Sequence, residues 1–198
     1  MKAERTVKLG SICDIRVGHA FRSRPYRLQD GNVLVLQPKN VSKHGSISFG
    51  VDGPLRTEAT VPKLLQQDEV LVVNRGRFAA AVFNLPGSES WIVSSSLLVL
   101  AVQDQTVLPE YIVSYLNSSS GQRQFQRHSE QTTVPFISGG NLGQMEIPIP
   151  SLDRQRSLVA LDKVATTCAR LTDRKMKLYR QILNLELMAE GQSLEGEQ

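Results

Sequence analysis

Residues 132–155 read TTVPFISGGNLGQMEIPIPSLDRQ, and the character of the chain changes inside that stretch. From Thr132 to Leu152 there is one charge, Glu146, against three prolines and three glycines. Proline has no N–H to give to a sheet ladder, so Pro148 and Pro150 make MEIPIP an edge strand or an extended exit from a sheet. Ser151 follows as a natural helix N-cap. Asp153 then falls in the first turn, where the helix dipole favours negative charge. A neutral, proline-stiffened strand thus delivers the chain directly into a helix.

That helix is long. Neither Gly nor Pro occurs across 151–190, and Leu161, Val164, Cys168, Leu171, Lys175, Leu178, Ile182, Leu185 and Ala189 recur at alternating spacings of three and four. The pattern is a heptad seam with one polar interruption, Lys175, flanked by polar and charged positions such as Asp162, Lys163, Arg170, Asp173, Arg174, Lys177 and Arg180. A helix of roughly 40 residues extends ~60 Å. A compact globule of the preceding 150 residues has a diameter of ~26 Å, so the helix is expected to protrude. It could instead fold back over its own sheet, but a narrow seam of seven-residue period suits a helical partner better. Leu161, Val164, Cys168, Leu171, Lys175, Leu178, Ile182 and Leu185 are therefore the expected dimerisation residues, and 191–198 an expected frayed tail.

Residues 1–150 read as a separate domain of short strands with helical interruptions, an α/β (α+β) pattern. VLVLQPKNV (33–41) is apolar, β-branched and stopped by Pro38. DEVLVVNRGRFAAAVFNLPG (68–87) reads as two strands joined across 74–77, and WIVSSSLLVLAV (91–102) as a further strand. Between 108 and 128, Pro109 suits a first helical turn, and Tyr111, Ile112, Tyr115 and Leu116 recur at helical spacing.

Net charge is +4, but its distribution is uneven. Residues 16–43 hold Arg16, Arg22, Arg24, Arg27, Lys39 and Lys43 against one acid, Asp30, and Arg75 and Arg77 form a second basic group. One-sided charge of this kind is the footprint of a polyanion binder, although a solvated loop can also be basic by composition alone. No apolar run is long enough for a membrane span, and MKAERTVKLG lacks the apolar core of a secretory signal, so a soluble cytoplasmic protein is expected. Cys13 and Cys168 stand far apart, and His19, His44 and His128 show no ligand spacing, which argues against a disulfide scaffold or a metal site. There is no glycine-rich cofactor loop, no GxxxxGK[ST], and no Asn/Asp-Pro-Pro-Tyr/Phe segment, so neither catalysis nor a cofactor is expected. Ser94, Ser95 and Ser96 lack a nucleophile-elbow context and read as a strand face or turn.

Four segments together resemble the specificity (S) subunits of type I restriction-modification systems. TVPFIS followed by NLGQMEIPIPSLDRQRSLVALDKV resembles the end of a target-recognition domain and the start of a spacer helix, with the pattern apolar-Pro-x-Leu-x-x-Gln present as IPSLDRQ (149–155). KLGSICDIRVGHAFRS (8–23) resembles the family's opening, DEVLVVNRGR (68–77) its Asp-apolar run ending near Arg-Gly, and LPEYIVSYL (108–116) its Pro-x-Tyr helix. Gln67 stands where the family has glycine. Full-length members carry two recognition domains and two spacer helices, and this sequence has one of each, so it looks like a half-size S subunit or a portion of a whole one.

The resemblance implies a non-catalytic DNA-recognition subunit that reads a half-site and positions adenine methyltransferase (modification) subunits. It also admits a restriction subunit as partner, and the seam suggests a homodimer on an interrupted palindrome. Reading DNA needs Lys and Arg at phosphates and Arg, Asn, Gln or Ser/Thr at base edges. The loops between the predicted strands offer Arg22, Ser23, Arg24 and Tyr26, then Lys39, Asn40 and Lys43, then Asn74, Arg75 and Arg77. Arg75 and Asn40 are the favoured base readers, because Arg pairs bidentately with guanine and Asn with adenine. Arg123 and Arg127 lie on a basic helix face that could meet phosphate or the methyltransferase. Two other readings compete: an assembly module that uses only the helix, and an enzyme using Ser94–Ser96 with His19 or His128.

Overall fold

The structure, a computed structural model, describes residues 5–22, 25–60, 63–130 and 133–195, with side chains to 187. It divides into two units, residues 1–159 and 160–198. The first unit is a mixed α/β domain. Its chain order is β1 (Arg5–Lys8), β2 (Cys13–Val17), β3 (Val33–Leu36), β4 (Leu55–Thr57), β5 (Val70–Val73), β6 (Ala80–Val82), β7 (Trp91–Val93), β8 (Leu97–Val102), α1 (Pro109–Asn117), α2 (Ser119–His128), α3 (Gly139–Gln144) and β9 (Glu146–Ile149). The last helix, α4, runs Leu152–Glu195.

Among the described residues the strands form three sheets: an antiparallel sheet in the order β2-β8-β5-β6, a mixed sheet β4-β3-β7, and a ribbon β1-β9. The four-stranded sheet is the middle layer. In β5, Val70 and Val72 pack with Tyr111, Ile112, Leu116 and Phe125 from α1 and α2, while Leu71 and Val73 pack with Leu34, Leu36 and Trp91 of the mixed sheet. β8 divides likewise, Leu98 and Leu100 to the helices, Leu97 and Val99 to the other sheet. Two buried faces explain why these strands read as unbroken apolar runs instead of alternating ones. Cys13 lies in the helix-side core, where burial pushes its thiol up to about 12 and leaves it inert.

Several sequence expectations need adjustment. WIVSSSLLVLAV is two strands in different sheets, β7 and β8, and the serines are the turn that carries the chain between them. The single helix expected over 108–128 is broken at Ser118, which ends α1 and whose hydroxyl caps α2. GGNLGQ forms the short helix α3, capped by Ser138. MEIPIP is an edge strand as expected: β9 pairs only with β1, in the register Val7 to Ile147. The long helix continues through Glu195, past its expected end at 190. Residues 191–195, read as part of a frayed tail, are helical, and 196–198 lie outside the described residues.

The sequence motif at 149–155 has a physical explanation in Gln155. Its side chain is fully buried. Nε2 donates to the carbonyls of Thr106 (2.8 Å) and Pro150 (2.9 Å), and Oε1 accepts from the N–H of Leu108 (2.9 Å). Ser151 caps the same turn, with its carbonyl accepting from the Gln155 N–H at 2.9 Å. The first turn of α4 is thereby fastened to the loop before α1 and to the exit of β9. Gln155→Leu, which keeps the volume but strands three buried backbone groups, should lower unfolding free energy by about 3 kcal/mol, measurable by urea denaturation.

Candidate nucleic-acid interface

Three of the candidate DNA-reading loops begin at one place, the Ser94–Ser96 turn. The Ser94 N–H donates to the carbonyl of Leu36, the last residue of β3 (2.9 Å), and His19 N–H donates to Val93 (2.7 Å) just after β2 ends. From β5, the Asn74 N–H reaches the Ser96 carbonyl (3.2 Å) and Asn74 Nδ2 the Ser95 carbonyl (3.1 Å). Gly18 is required here: a Cβ at that position would lie 2.2 Å from the Ser94 oxygen. The C-terminal ends of β2, β3 and β5 therefore meet where β7 hands over to β8, and each releases a loop.

The second and third loops are tied directly. Arg77 donates to the Val41 carbonyl at 3.0 Å, joining the 74–77 turn to the loop that holds Lys39 and Lys43. Lys39, Lys43, Arg75 and Arg77 are all exposed. Arg75 lies over the Phe136 ring at 5.1 Å, and Gly76, at φ 78°, donates to the Pro135 carbonyl at 2.7 Å. Phe136 was not singled out from the sequence. Its role as a platform arises from a contact across some sixty residues, which no local pattern records.

The first loop is held elsewhere. Arg27 donates to the carbonyls of Pro54 (2.9 Å) and Gly53 (3.4 Å), bracing it against the 50–53 turn. Arg22 and Tyr26 are exposed, and Ser23 and Arg24 lie outside the described residues.

The two asparagines proposed for the interface are placed differently. Asn40 is buried: its Oδ1 accepts from the Gln37 N–H (3.0 Å) and its Nδ2 donates to the Ser48 carbonyl (3.0 Å). Asn74 is buried as described above. Both amides hold loop backbones, so neither presents its edge to a base in this structure. Arg16 leaves the basic group as well, because its guanidinium pairs with the buried carboxylate of Glu69 at 2.7 Å. Arg123 and Arg127, on the exposed face of α2, line an open cleft with Lys8.

Among the described residues no group of His, Cys, Asp or Glu could hold a metal, and no helix is long and apolar enough to cross a membrane. In the second unit every seam residue from Leu161 to Leu185 is exposed, including Leu161, Val164, Leu171, Leu178, Ile182 and Leu185 at half or more of their surface. Lys175 interrupts the seam with its ammonium 5.5 Å from the Tyr179 ring.

The family model for the type I restriction modification DNA specificity domain matches residues 2–178. The chain belongs to this family, a recognition family and not a catalytic one. The comparison with solved structures agrees on the fold. A chain from a structure of complex assembly and conformational transition in the type I R-M system superposes with TM-score 0.70 at 22% identity, covering 94% of this chain and 44% of that one. The HsdS subunit from Thermoanaerobacter tengcongensis gives 0.63 at 22%, covering 86% and 39%. The S subunit from M. genitalium gives 0.51 at 15%, covering 80% and 38%. This specificity-domain chain thus spans about two fifths of the structures it resembles. No curated protein matches it.

The roles assigned to Asn40 and Lys39 are separable. Asn40→Ala should cost about 2 kcal/mol of stability, since it orphans an N–H and a carbonyl, while Lys39→Ala should leave thermal unfolding unchanged.

Proposed function

We propose that this chain reads one half of a bipartite double-stranded DNA target and holds adenine methyltransferase subunits at it within a type I restriction-modification complex. The observation that carries the reading is the joining of two loops by Arg77, which gathers Lys39, Lys43, Arg75 and Arg77 as exposed cations on a rigid sheet end. Lys39 and Lys43 supply phosphate attraction. Arg75 has the fork that matches guanine in the major groove. Its stacking on Phe136 limits the rotamers it must give up on binding, so discrimination comes at lower entropic cost. A restriction subunit is a further partner of such a complex.

The exposed seam of α4 supports a homodimer, Leu161, Val164, Cys168, Leu171, Leu178, Ile182 and Leu185 being covered by the same residues of a second copy. Antiparallel pairing makes a two-fold reader, and a two-fold reader recognises an inverted repeat with an unread gap.

Selection from a randomised duplex library tests the reading. An interrupted inverted repeat should be enriched, with affinity falling steeply as salt rises. Arg75→Ala should relax preference at one position of each half-site at a cost of about 1–3 kcal/mol, and Lys39→Ala should weaken all sequences alike. Absence of DNA affinity at any salt would leave the helix-only assembly module as the better account. The seam has its own test: Lys175→Leu should raise the melting temperature, because a polar seam residue fixes register at the expense of stability. A lower melting temperature would overturn the seam assignment.

A further inference from the structure

The cleft between α2 and the β1-β9 ribbon, about 580 Å³ in volume, lies outside the loop cluster. Its cations come from two segments far apart in sequence: Lys8 at the end of β1, and Arg123 and Arg127 one helical turn apart on α2. Facing them is one carboxylate, Glu146. The cleft wall is firmly built. Gln124 accepts from the Glu146 N–H at 2.9 Å through Oε1 and donates to the Tyr115 hydroxyl at 2.7 Å, while Tyr115 donates to the Glu146 carbonyl at 3.0 Å. Lys8 donates to Gln144 at 2.7 Å and Arg123 to the Ser120 hydroxyl at 2.9 Å. Neither arginine makes an ion pair among the described residues.

We propose that this cleft seats a phosphodiester of the DNA backbone beside the bases that the loops read. The inference rests on the DNA-reading function above and extends its footprint. Two observations favour a phosphate over the acidic side chain of a protein partner. A protein interface needs apolar anchors at its centre, and none of the exposed large hydrophobic residues of this domain lines the cleft. A phosphate needs only cations and polar donors, which the cleft has. The second observation is position. Immediately after α2 the chain reaches Glu130, whose backbone pairs with Phe136, the ring beneath Arg75. Phe125, from the opposite face of α2, stacks on Phe78 at 4.7 Å, next to Arg77. The helix that carries Arg123 and Arg127 is thus joined to the edge of the loop cluster, next to the groups proposed above to read the bases.

The test measures DNA affinity against salt for the intact chain and for the surface variants R123A/R127A, R123K/R127K and E146Q. The double alanine variant should weaken every duplex by a similar factor, roughly tenfold, and reduce the slope of log affinity against log salt by ~0.9 for the lost phosphate. The preference between target and non-target sequence should not move. The double lysine variant should restore the slope, and Glu146→Gln should tighten binding several-fold by removing the one opposing charge. An unchanged slope in the alanine variant, with sequence-specific binding intact in the parent, would overturn this proposal alone. The same unchanged slope with weakened methyltransferase association would assign the cleft to a protein carboxylate instead. Failure of the parent chain to bind DNA at all would overturn the DNA-reading function, and this proposal with it.

Discussion

The handover of the chain at Ser94–Ser96 constrains most of the domain. Three residues carry the backbone from a parallel pairing with β3 in one sheet to an antiparallel pairing with β2 and β5 in another. The two sheets then lie face to face with a shared apolar layer. Because β2, β3 and β5 all end against this crossing, their loops emerge together, although 18, 36 and 74 are far apart in sequence. Loops anchored at a rigid sheet end can vary in sequence without disturbing the core that positions them.

Buried amides perform the local organisation. Asn40, Asn74 and Gln155 all point inward and hydrogen-bond to backbone groups in turns and chain exits, where no sheet or helix partner exists. An amide suits this task because it offers donors and an acceptor in one plane without the desolvation cost of a charge. The long cations of these loops are exposed, and two of them are held through their guanidinium heads, Arg75 over Phe136 and Arg77 on the Val41 carbonyl. The loops thus combine short buried amides that shape them with long guanidinium and ammonium groups that project from them.

The second unit follows a different physics. Its apolar residues have no core of their own to enter, and helical hydrogen bonding satisfies the backbone without any sheet. The first two turns of α4 belong to the recognition domain through Gln155 and Val159, both buried there. From Ala160 onward the helix is a separate unit with its seam exposed. One continuous helix therefore forms part of a core at one end and carries an exposed apolar seam along the described remainder.

The sequence by itself determined the features governed by local periodicity and backbone chemistry. The heptad spacing from Leu161 to Leu185, the proline-limited edge strand at β9, the Ser151 cap and the β5-β6 hairpin were all legible, because each depends on residues within a turn or two of one another. The tertiary structure alone decided what depends on distant partners. WIVSSSLLVLAV carries an apolar signal throughout, and only the existence of two sheets shows that it must break. An asparagine in a polar loop looks the same whether it faces solvent or caps a neighbouring strand, so Asn40 and Asn74 could be sorted only by their burial. Arg16 counted toward a basic surface until Glu69, fifty-three residues away, proved to neutralise it. Phe136 beneath Arg75 and Lys8 beside α2 are likewise meetings of segments that sequence spacing does not encode. Periodicity reports which face of an element is apolar, and only packing reports what that face, or a charge beside it, will meet.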